Sequence, residues 1–149
     1  MLRLSLALAV FVLLLASPGA AQADASRGRP DVELDRLDFP AEVAGAHHFK
    51  KRLRTILKRQ VRRADWGAGR GAKIQYRFSV TELVLQNDGE VLRVRCTATG
   101  KLPGGKSAKS NLASGGPPNQ RNKVVERVLE IVGRGVVTRL AELEPIRPG

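Results

Sequence analysis

The sequence predicts an α+β fold, a two-layer sandwich in which two helices pack on one face of a three- to four-stranded, mostly antiparallel sheet. Apolar residues recur at helical spacing in two segments, at about 41–64 and 125–143. Two further segments alternate apolar and polar residues on either side of Asp88-Gly89. The predicted order is β-α-β-β-(β)-α, with a weakly marked strand in brackets. Because the helices and the sheet each have one apolar side, they bury those sides against each other.

Residues 1–23 are predicted to be a signal peptide. Arg3 precedes a mostly apolar run over residues 4–16, and the small residues Ala21 and Ala23 suit cleavage after Ala23. The run has 13 residues, fewer than the ~20 that a transmembrane helix needs. We therefore expect an exported protein, periplasmic or secreted, with no transmembrane span in its mature chain.

The mature chain is expected to contain one domain. Residues 24–30 are a polar, flexible leader, residues 31–144 form the domain, and residues 145–149 are a short tail. Cys96 is the single cysteine, which excludes an internal disulfide. No cysteine follows Leu15-Ala16-Ser17 at the position that a bacterial lipoprotein signal requires, so we expect the protein not to be lipidated.

The first strand and the first helix follow the leader. Val32, Leu34 and Leu37 lie in a run of alternating character whose phase slips at Asp35-Arg36, and this predicts a strand with a bulge. From about Ala41 to Ala64 the spacing of the apolar residues indicates one amphipathic helix, which the glycine-rich residues 67–71 end.

The next two strands form a predicted hairpin. Asp88-Gly89 has the residues of a two-residue type I′ turn, which would place Asn87 opposite Glu90. In that register the apolar residues stay on one face only if Thr81 and Glu82 form a bulge opposite Arg95.

The last elements are a weak strand and a long helix. Residues 107–113 are mostly polar and mark the weak strand, and residues 114–118 are predicted to be a loop whose prolines suit a helix start. Gly133 and Gly135 flank the apolar stripe of the second helix and are expected to let it approach the sheet closely. The stripe consists of Val125, Val128, Leu129, Val132, Val136, Leu140 and Leu143.

The first helix carries the strongest candidate for a binding surface. Eight of the fourteen residues from Lys50 to Arg63 are basic and none is acidic. The net charge of the chain is +12, or +11 without the signal peptide, so attraction to polyanions is expected. The alternative interpretation is a solvated face in an arginine-rich protein. The predicted anion-binding residues are Lys50, Lys51, Arg52, Arg54, Lys58, Arg59, Arg62 and Arg63.

A second candidate surface lies on the polar side of the hairpin. Arg77, Arg93 and Arg95 alternate with its apolar residues and are predicted to share its solvent-facing side. They would bind anions there, or serve solubility alone. Few aromatic residues interleave with the basic ones, so nucleic acid is not the expected partner.

No residue pattern indicates catalysis. The adjacent His47 and His48 point about 100° apart on a helix, which suits neither a shared metal nor a catalytic pair. Cys96 lies on the apolar side of its strand, as a buried, inert thiol would. The sequence has no nucleophile-base pair, metal-ligand spacing or phosphate loop. We expect a protein that is not an enzyme and that binds no cofactor and no metal.

The chain has a predicted export signal and a basic helix that carries Phe49, Leu53, Ile56 and Leu57, and the hairpin from Ile74 to Ala98 follows that helix. In these features and in the order of its elements, it resembles the lipopolysaccharide-assembly lipoproteins of the LptE family. That resemblance implies two helices on a four-stranded sheet and contact with lipopolysaccharide, and no sequence motif or binding residue is carried over. The topology is also similar to outer-membrane activators of peptidoglycan synthases.

These observations give two functional hypotheses. The first is an exported, non-enzymatic periplasmic accessory protein whose basic helix binds an anionic envelope component, that is, lipopolysaccharide, anionic lipid or glycan, with peripheral membrane contact. The second is a protein-interaction module of an envelope assembly or peptidoglycan-synthesis complex. Loss of binding at high salt would favour the first, because salt screens exposed charges.

Overall fold

The computed structural model describes residues 28–67 and 71–144. The predicted signal peptide, residues 24–27 of the leader and the tail lie outside the described residues. The elements are β1 (Asp31–Asp38), α1 (Ala46–Arg63), β2 (Lys73–Asn87), β3 (Leu92–Lys101), β4 (Ser107–Gly116), a 3₁₀ turn (Pro118–Gln120) and α2 (Arg121–Leu143).

The predicted α+β sandwich is confirmed, with four strands in the sheet. The strand order is β1-β2-β3-β4, so β1 and β4 are the edges. β1 pairs with β2 in parallel, with α1 as the crossover, and the other two pairs are antiparallel. Both helices pack on one face of this mixed sheet. We call the other face, which no described element covers, the open face.

Two bulges keep the apolar residues of β1 and β2 on the helix side. The register of β1 shifts between Leu34 and Arg36, which leaves Asp35 as the extra residue. The register of β2 shifts between Val80 and Glu82. Without an extra residue, side chains three positions apart would point to opposite faces of the sheet. The bulge predicted in each strand is thereby confirmed, although the one in β2 faces different partners.

The hairpin loop is longer than the predicted two-residue turn. Asn87 pairs with Leu92 and not with Glu90, and the amide of Asp88 donates to the carbonyl of Val91 at 3.0 Å. The predicted register was therefore wrong by two residues. A shift of two conserves the side-chain alternation, so each residue still lies on the predicted face. The pairing opposite the bulge changes accordingly, with Glu82 facing Thr97 and not Arg95.

The structure also corrects two element boundaries. α1 begins at Ala46 and not near Ala41, because Gly45 has φ 82°, which an α-helix cannot contain. The turns before α1 are held by Arg121, at the start of α2. Its side-chain Nη2 donates a hydrogen bond to the carbonyl of Ala44 at 2.9 Å. β4 continues to Gly116, so the strand includes residues 114–116, which were predicted to be loop.

Glycines mark the closest approaches of α2 to its neighbours. A Cβ on Gly100 of β3 would lie 2.6 Å from Val136 Cγ1, so α2 sits directly on this glycine. Gly135 faces β4, where a Cβ would meet Ser110 Oγ at 3.1 Å. Gly133 instead faces α1, with Leu57 Cδ2 at 3.5 Å. The expected approach to the sheet is thus found for Gly135 but not for Gly133.

Candidate anion-binding surface and adjoining groove

α1 presents three sides to different surroundings. Its apolar side is buried through Phe49, Leu53, Ile56 and Leu57. A second side faces α2, and a third faces solvent and the edge of β1. The eight predicted cations are distributed over the last two sides, so the structure divides them into groups with different roles.

The cations that face α2 form ion pairs with it. Arg59 Nη2 lies 2.6 Å from Glu130 Oε1, and Arg52 Nε lies 3.6 Å from Glu126 Oε2. His48 Nε2 is 3.3 Å from the other oxygen of Glu126. Arg52 and Arg59 therefore tie the two helices together and do not belong to a free cationic surface, which corrects the prediction that all eight residues share the outer face.

Four other cations form what we call the outward stripe, Lys51, Arg54, Lys58 and Arg62. They are spaced three, four and four residues apart, so they lie along one line of the helix, and all four are exposed. None of them makes an ion pair within residues 28–67 and 71–144. The stripe therefore presents four uncompensated positive charges to solvent.

The last two predicted cations flank the stripe. Lys50 is half-buried, and Arg63 is exposed at the C-terminal end of the helix. Arg62 and Arg63 lie in the last turn, where the helix dipole favours positive charge. Part of the basic character of this end is thus explained by helix stability, whereas Lys51, Arg54 and Lys58 have no such explanation.

The three predicted arginines of the hairpin lie on the open face, and each is paired with a carboxylate. The ion-pair distances join Arg77 Nε to Asp35 Oδ2 at 3.3 Å, Arg93 Nε to Asp88 Oδ2 at 3.1 Å, and Arg95 Nε to Glu82 Oε1 at 2.7 Å. These pairs were not predicted from the sequence, although the predicted register placed Glu82 opposite Arg95. Asp35 is the extra residue of the β1 bulge, and Asp88 lies in the hairpin loop. Other cations of this face, Lys73, Lys101 and Lys109, lie on three different strands.

A groove of about 810 Å³ runs between α1 and the edge of β1. Six consecutive residues, 29–34, line one wall. Since successive side chains of a strand point to opposite faces, such a continuous lining includes the strand edge itself. The opposite wall comes from α1 and the turn that follows it: Arg54, Lys58, Val61, Arg62, Arg63, Ala64, Asp65, Trp66 and Gly67.

Two aromatic residues are fixed at this groove. Trp66 folds back on α1, because its Nε1 donates to the carbonyl of Val61 at 3.1 Å. Tyr76 of β2 also lines the groove and is only 2 % exposed. Burial raises the pKa of its hydroxyl well above the usual range, so the phenol is neutral. No local sequence pattern indicates this groove, since its two walls come from segments about thirty residues apart.

The other candidate groups have structural surroundings. Cys96 is fully buried, and burial, with a smaller contribution from the charge of Glu82, raises the pKa of its thiol to about 12. His47 and His48 are both exposed. Within the described ranges no three His, Cys, Asp or Glu side chains are grouped as a metal site would need. Neither described helix is both long and apolar enough to cross a bilayer.

Comparison with known proteins assigns no family to this chain. No protein-family model matches the sequence, and no curated protein matches it. Among solved structures, the chain is similar to a "putative lipoprotein" from Caulobacter crescentus, with 14 % identity and a TM-score of 0.45. That likeness covers 79 % of this chain and 93 % of the other. At such a low similarity the likeness supports no statement about activity or ligand.

Proposed function

We propose that this chain is an exported, non-enzymatic accessory protein that binds an anionic component of the cell envelope, lipopolysaccharide, anionic lipid or glycan, through the outward stripe of α1. The observation that supports this proposal is that the cations of the outward stripe lack carboxylate partners among the described residues, while the arginines of the open face have them. The stripe has four exposed cations without a carboxylate partner in the described chain, whereas Arg77, Arg93 and Arg95 are each paired. The predicted export signal favours the envelope as the place where these charges act.

The magnitude of the expected attraction is appreciable. Near an anionic membrane each Lys or Arg contributes about 1 kcal/mol, so four contribute on the order of 4 kcal/mol, or nearly a thousandfold in affinity. Paired arginines contribute less, because their partners repel the same surface.

Sedimentation of the mature chain, residues 24–149, with lipid vesicles tests this proposal. We expect binding to vesicles that contain phosphatidylglycerol but not to pure phosphatidylcholine, and a steep loss of binding as salt rises, because screening shortens the range of exposed charges. Glutamine at all four positions of the outward stripe should abolish the binding.

The matched control replaces the paired cations of the open face, with Arg77→Gln, Arg93→Gln and Arg95→Gln. This control should retain most of the binding. The proposal fails if binding is equal at low and high salt, if phosphatidylcholine vesicles bind equally well, or if the two sets of substitutions have the same effect.

The second candidate function is a protein-interaction module of an envelope assembly or peptidoglycan-synthesis complex. The observation that favours it is the sheet itself, since β4 has ten residues and no described strand pairs with its outer edge. An unpaired edge accepts a further strand through backbone hydrogen bonds. Capture of one defined envelope protein that survives high salt and tolerates neutralisation of the outward stripe would favour this function over the first.

A further inference from the structure

The groove beside α1 combines an apolar interior with a cationic rim. Its apolar side chains come from both walls and from the sheet beneath, and its rim carries three of the four residues of the outward stripe. The larger apolar members are Val32, Leu34, Val61, Trp66 and Tyr76. The cations that the groove shares with the outward stripe are Arg54, Lys58 and Arg62, and Arg29 and Arg63 also line it.

The acidic residues of the lining form no ion pair with this rim within the described ranges. Asp31 and Glu33 alternate with the half-buried Val32 and Leu34 and are exposed, so their carboxylates lie toward the open face. Asp65 Oδ1 accepts a hydrogen bond from the amide of Gly67 at 2.9 Å. Consistent with this, no ion pair of the described chain joins any of these carboxylates to a cation of the rim.

The hydroxyl of Tyr76 is a second sign that the groove receives a ligand. It makes no hydrogen bond within the part of the chain that the structure describes. Among those residues Arg59 Nε is the one side-chain nitrogen or oxygen that is both sealed from solvent and without a partner. The Tyr76 hydroxyl is therefore not fully sealed, although the residue is only 2 % exposed, and Tyr76 is part of the groove lining. Buried phenols normally have a hydrogen-bond partner.

We propose that this groove binds the acyl chain of an anionic lipid whose phosphate group is held at the rim by Arg54, Lys58 and Arg62. The inference rests on the proposed function, because it names the ligand of the same side of α1. A free phosphate would need no apolar interior, and an uncharged chain would need no row of cations, so the two together fit an amphiphile. A volume of about 810 Å³ lies in the range of small-molecule sites.

The chain carries its own reporter for this site, since Trp66 is its single tryptophan and lines the groove. Dodecyl phosphate, added below its micelle concentration to the mature chain, should cause a saturable change in Trp66 fluorescence. Decyl phosphate should bind about fourfold more weakly for each methylene removed, as long as the groove buries the chain. Inorganic phosphate should cause no saturable change, and uncharged dodecyl maltoside should bind at least tenfold more weakly.

Two sets of variants separate the apolar interior from the rim. Leu34→Phe with Val61→Phe fills the groove and should weaken dodecyl phosphate binding at least tenfold, while Val84→Phe adds similar volume on the open face and should have no effect. Lys58→Gln with Arg62→Gln leaves the interior intact. This pair should weaken the binding of dodecyl phosphate about tenfold and should not change the binding of dodecyl maltoside. Thermal melts check that each variant is folded.

The outcomes distinguish this inference from the proposed function. Absence of a Trp66 response, a response to inorganic phosphate equal to that of dodecyl phosphate, or insensitivity to both variant sets would overturn the lipid groove. Binding to anionic vesicles would still be expected after that result, because it depends on the outward stripe as a whole and not on the groove. Conversely, loss of vesicle binding with an intact dodecyl phosphate response would overturn the proposed function alone.

Discussion

The outer side of α1 and the open face of the sheet are both rich in basic residues, but they differ in how those charges are compensated. On the open face Arg77, Arg93 and Arg95 each lie within 3.3 Å of a carboxylate. On α1 the outward stripe has no such partner in the described chain. The difference teaches that the number of cations in a segment does not identify a binding surface. What matters is how many cations are left without a carboxylate after folding and whether they lie together. The cations of the open face that form no ion pair in the described chain, Lys73, Lys101 and Lys109, lie on three different strands, whereas those of the outward stripe lie along one line of a helix.

The largest expected effect comes from releasing the paired arginines of the open face. In the variant whose outward stripe is neutralised, Asp35→Asn, Glu82→Gln and Asp88→Asn should restore vesicle binding through Arg77, Arg93 and Arg95. Three released cations at about 1 kcal/mol each correspond to roughly a hundredfold gain in affinity. Sedimentation at low salt measures it.

The control for this experiment removes the same amount of negative charge elsewhere. Asp31, Glu33 and Glu90 form no ion pair among the described residues, so Asp31→Asn, Glu33→Gln and Glu90→Gln release no arginine. Their effect should be much smaller. If both sets restore vesicle binding equally, the net charge of the protein governs the interaction. That result would contradict the conclusion that ion pairing distinguishes the two surfaces.

A second prediction contrasts the two faces of the sheet by packing instead of charge. A methyl group on Gly100 would meet Val136 at 2.6 Å and Leu140 at 2.7 Å. We expect Gly100→Ala to lower the free energy of unfolding by about 2 kcal/mol, because α2 must shift to admit it. Thr99→Ala, its neighbour on the open face, should change it by less than about 1 kcal/mol. Urea denaturation compares the two, and equal values would contradict the close seating of α2.

The third prediction widens the stripe from the side of α2. Glu126→Gln with Glu130→Gln would release Arg52 and Arg59, which now bridge the helices. We expect the affinity for vesicles to rise about tenfold. The gain is smaller than two fully membrane-facing cations would give, because the released arginines lie beside the stripe and do not face the membrane directly. A matched pair of substitutions, Glu33→Gln with Glu90→Gln, removes the same charge but releases no arginine, because neither residue forms an ion pair among the described residues, and it should give a smaller gain. Equal gains would show that the bridges do not restrain these arginines.

The smallest expected effect concerns stability. Arg95→Gln breaks the shortest ion pair of the open face, yet both partners are substantially exposed, with 63 % and 41 % of their side-chain surface accessible. Exposed pairs contribute little, so the free energy of unfolding should fall by about 0.5 kcal/mol or less. Urea denaturation at low and at high salt measures it. A loss of several kcal/mol would mean that the open-face pairs hold the fold together, and their substitution would then be a poor control for binding.

The sequence was sufficient for the fold because apolar spacing determines which side of each element is buried. It predicted even the bulge at Asp35, since Leu34 and Leu37 cannot otherwise share a face. The loop length of the hairpin was not predictable from Asp88-Gly89, because a register shift of two residues leaves every side chain on the same face.

The candidate site was less predictable because it depends on contacts between distant segments. The helical spacing of Arg52 and Arg59 does not reveal that Glu126 and Glu130 lie opposite them. The groove likewise requires the edge of β1 to lie beside the end of α1, which is a property of the parallel crossover and not of either segment. Whether the outward stripe binds an anion stays a prediction.

The position of the helices on a single side of the sheet has a consequence for orientation. A molecule attracted to a charged bilayer through the outward stripe would lie with α1 toward the lipid, and the open face would then be turned away from it. That arrangement would leave Arg77, Arg93 and Arg95, with their carboxylates, accessible to soluble macromolecules. The protein would thus work as a two-sided adaptor, in which one layer contacts the bilayer and the other contacts whatever lies beyond it.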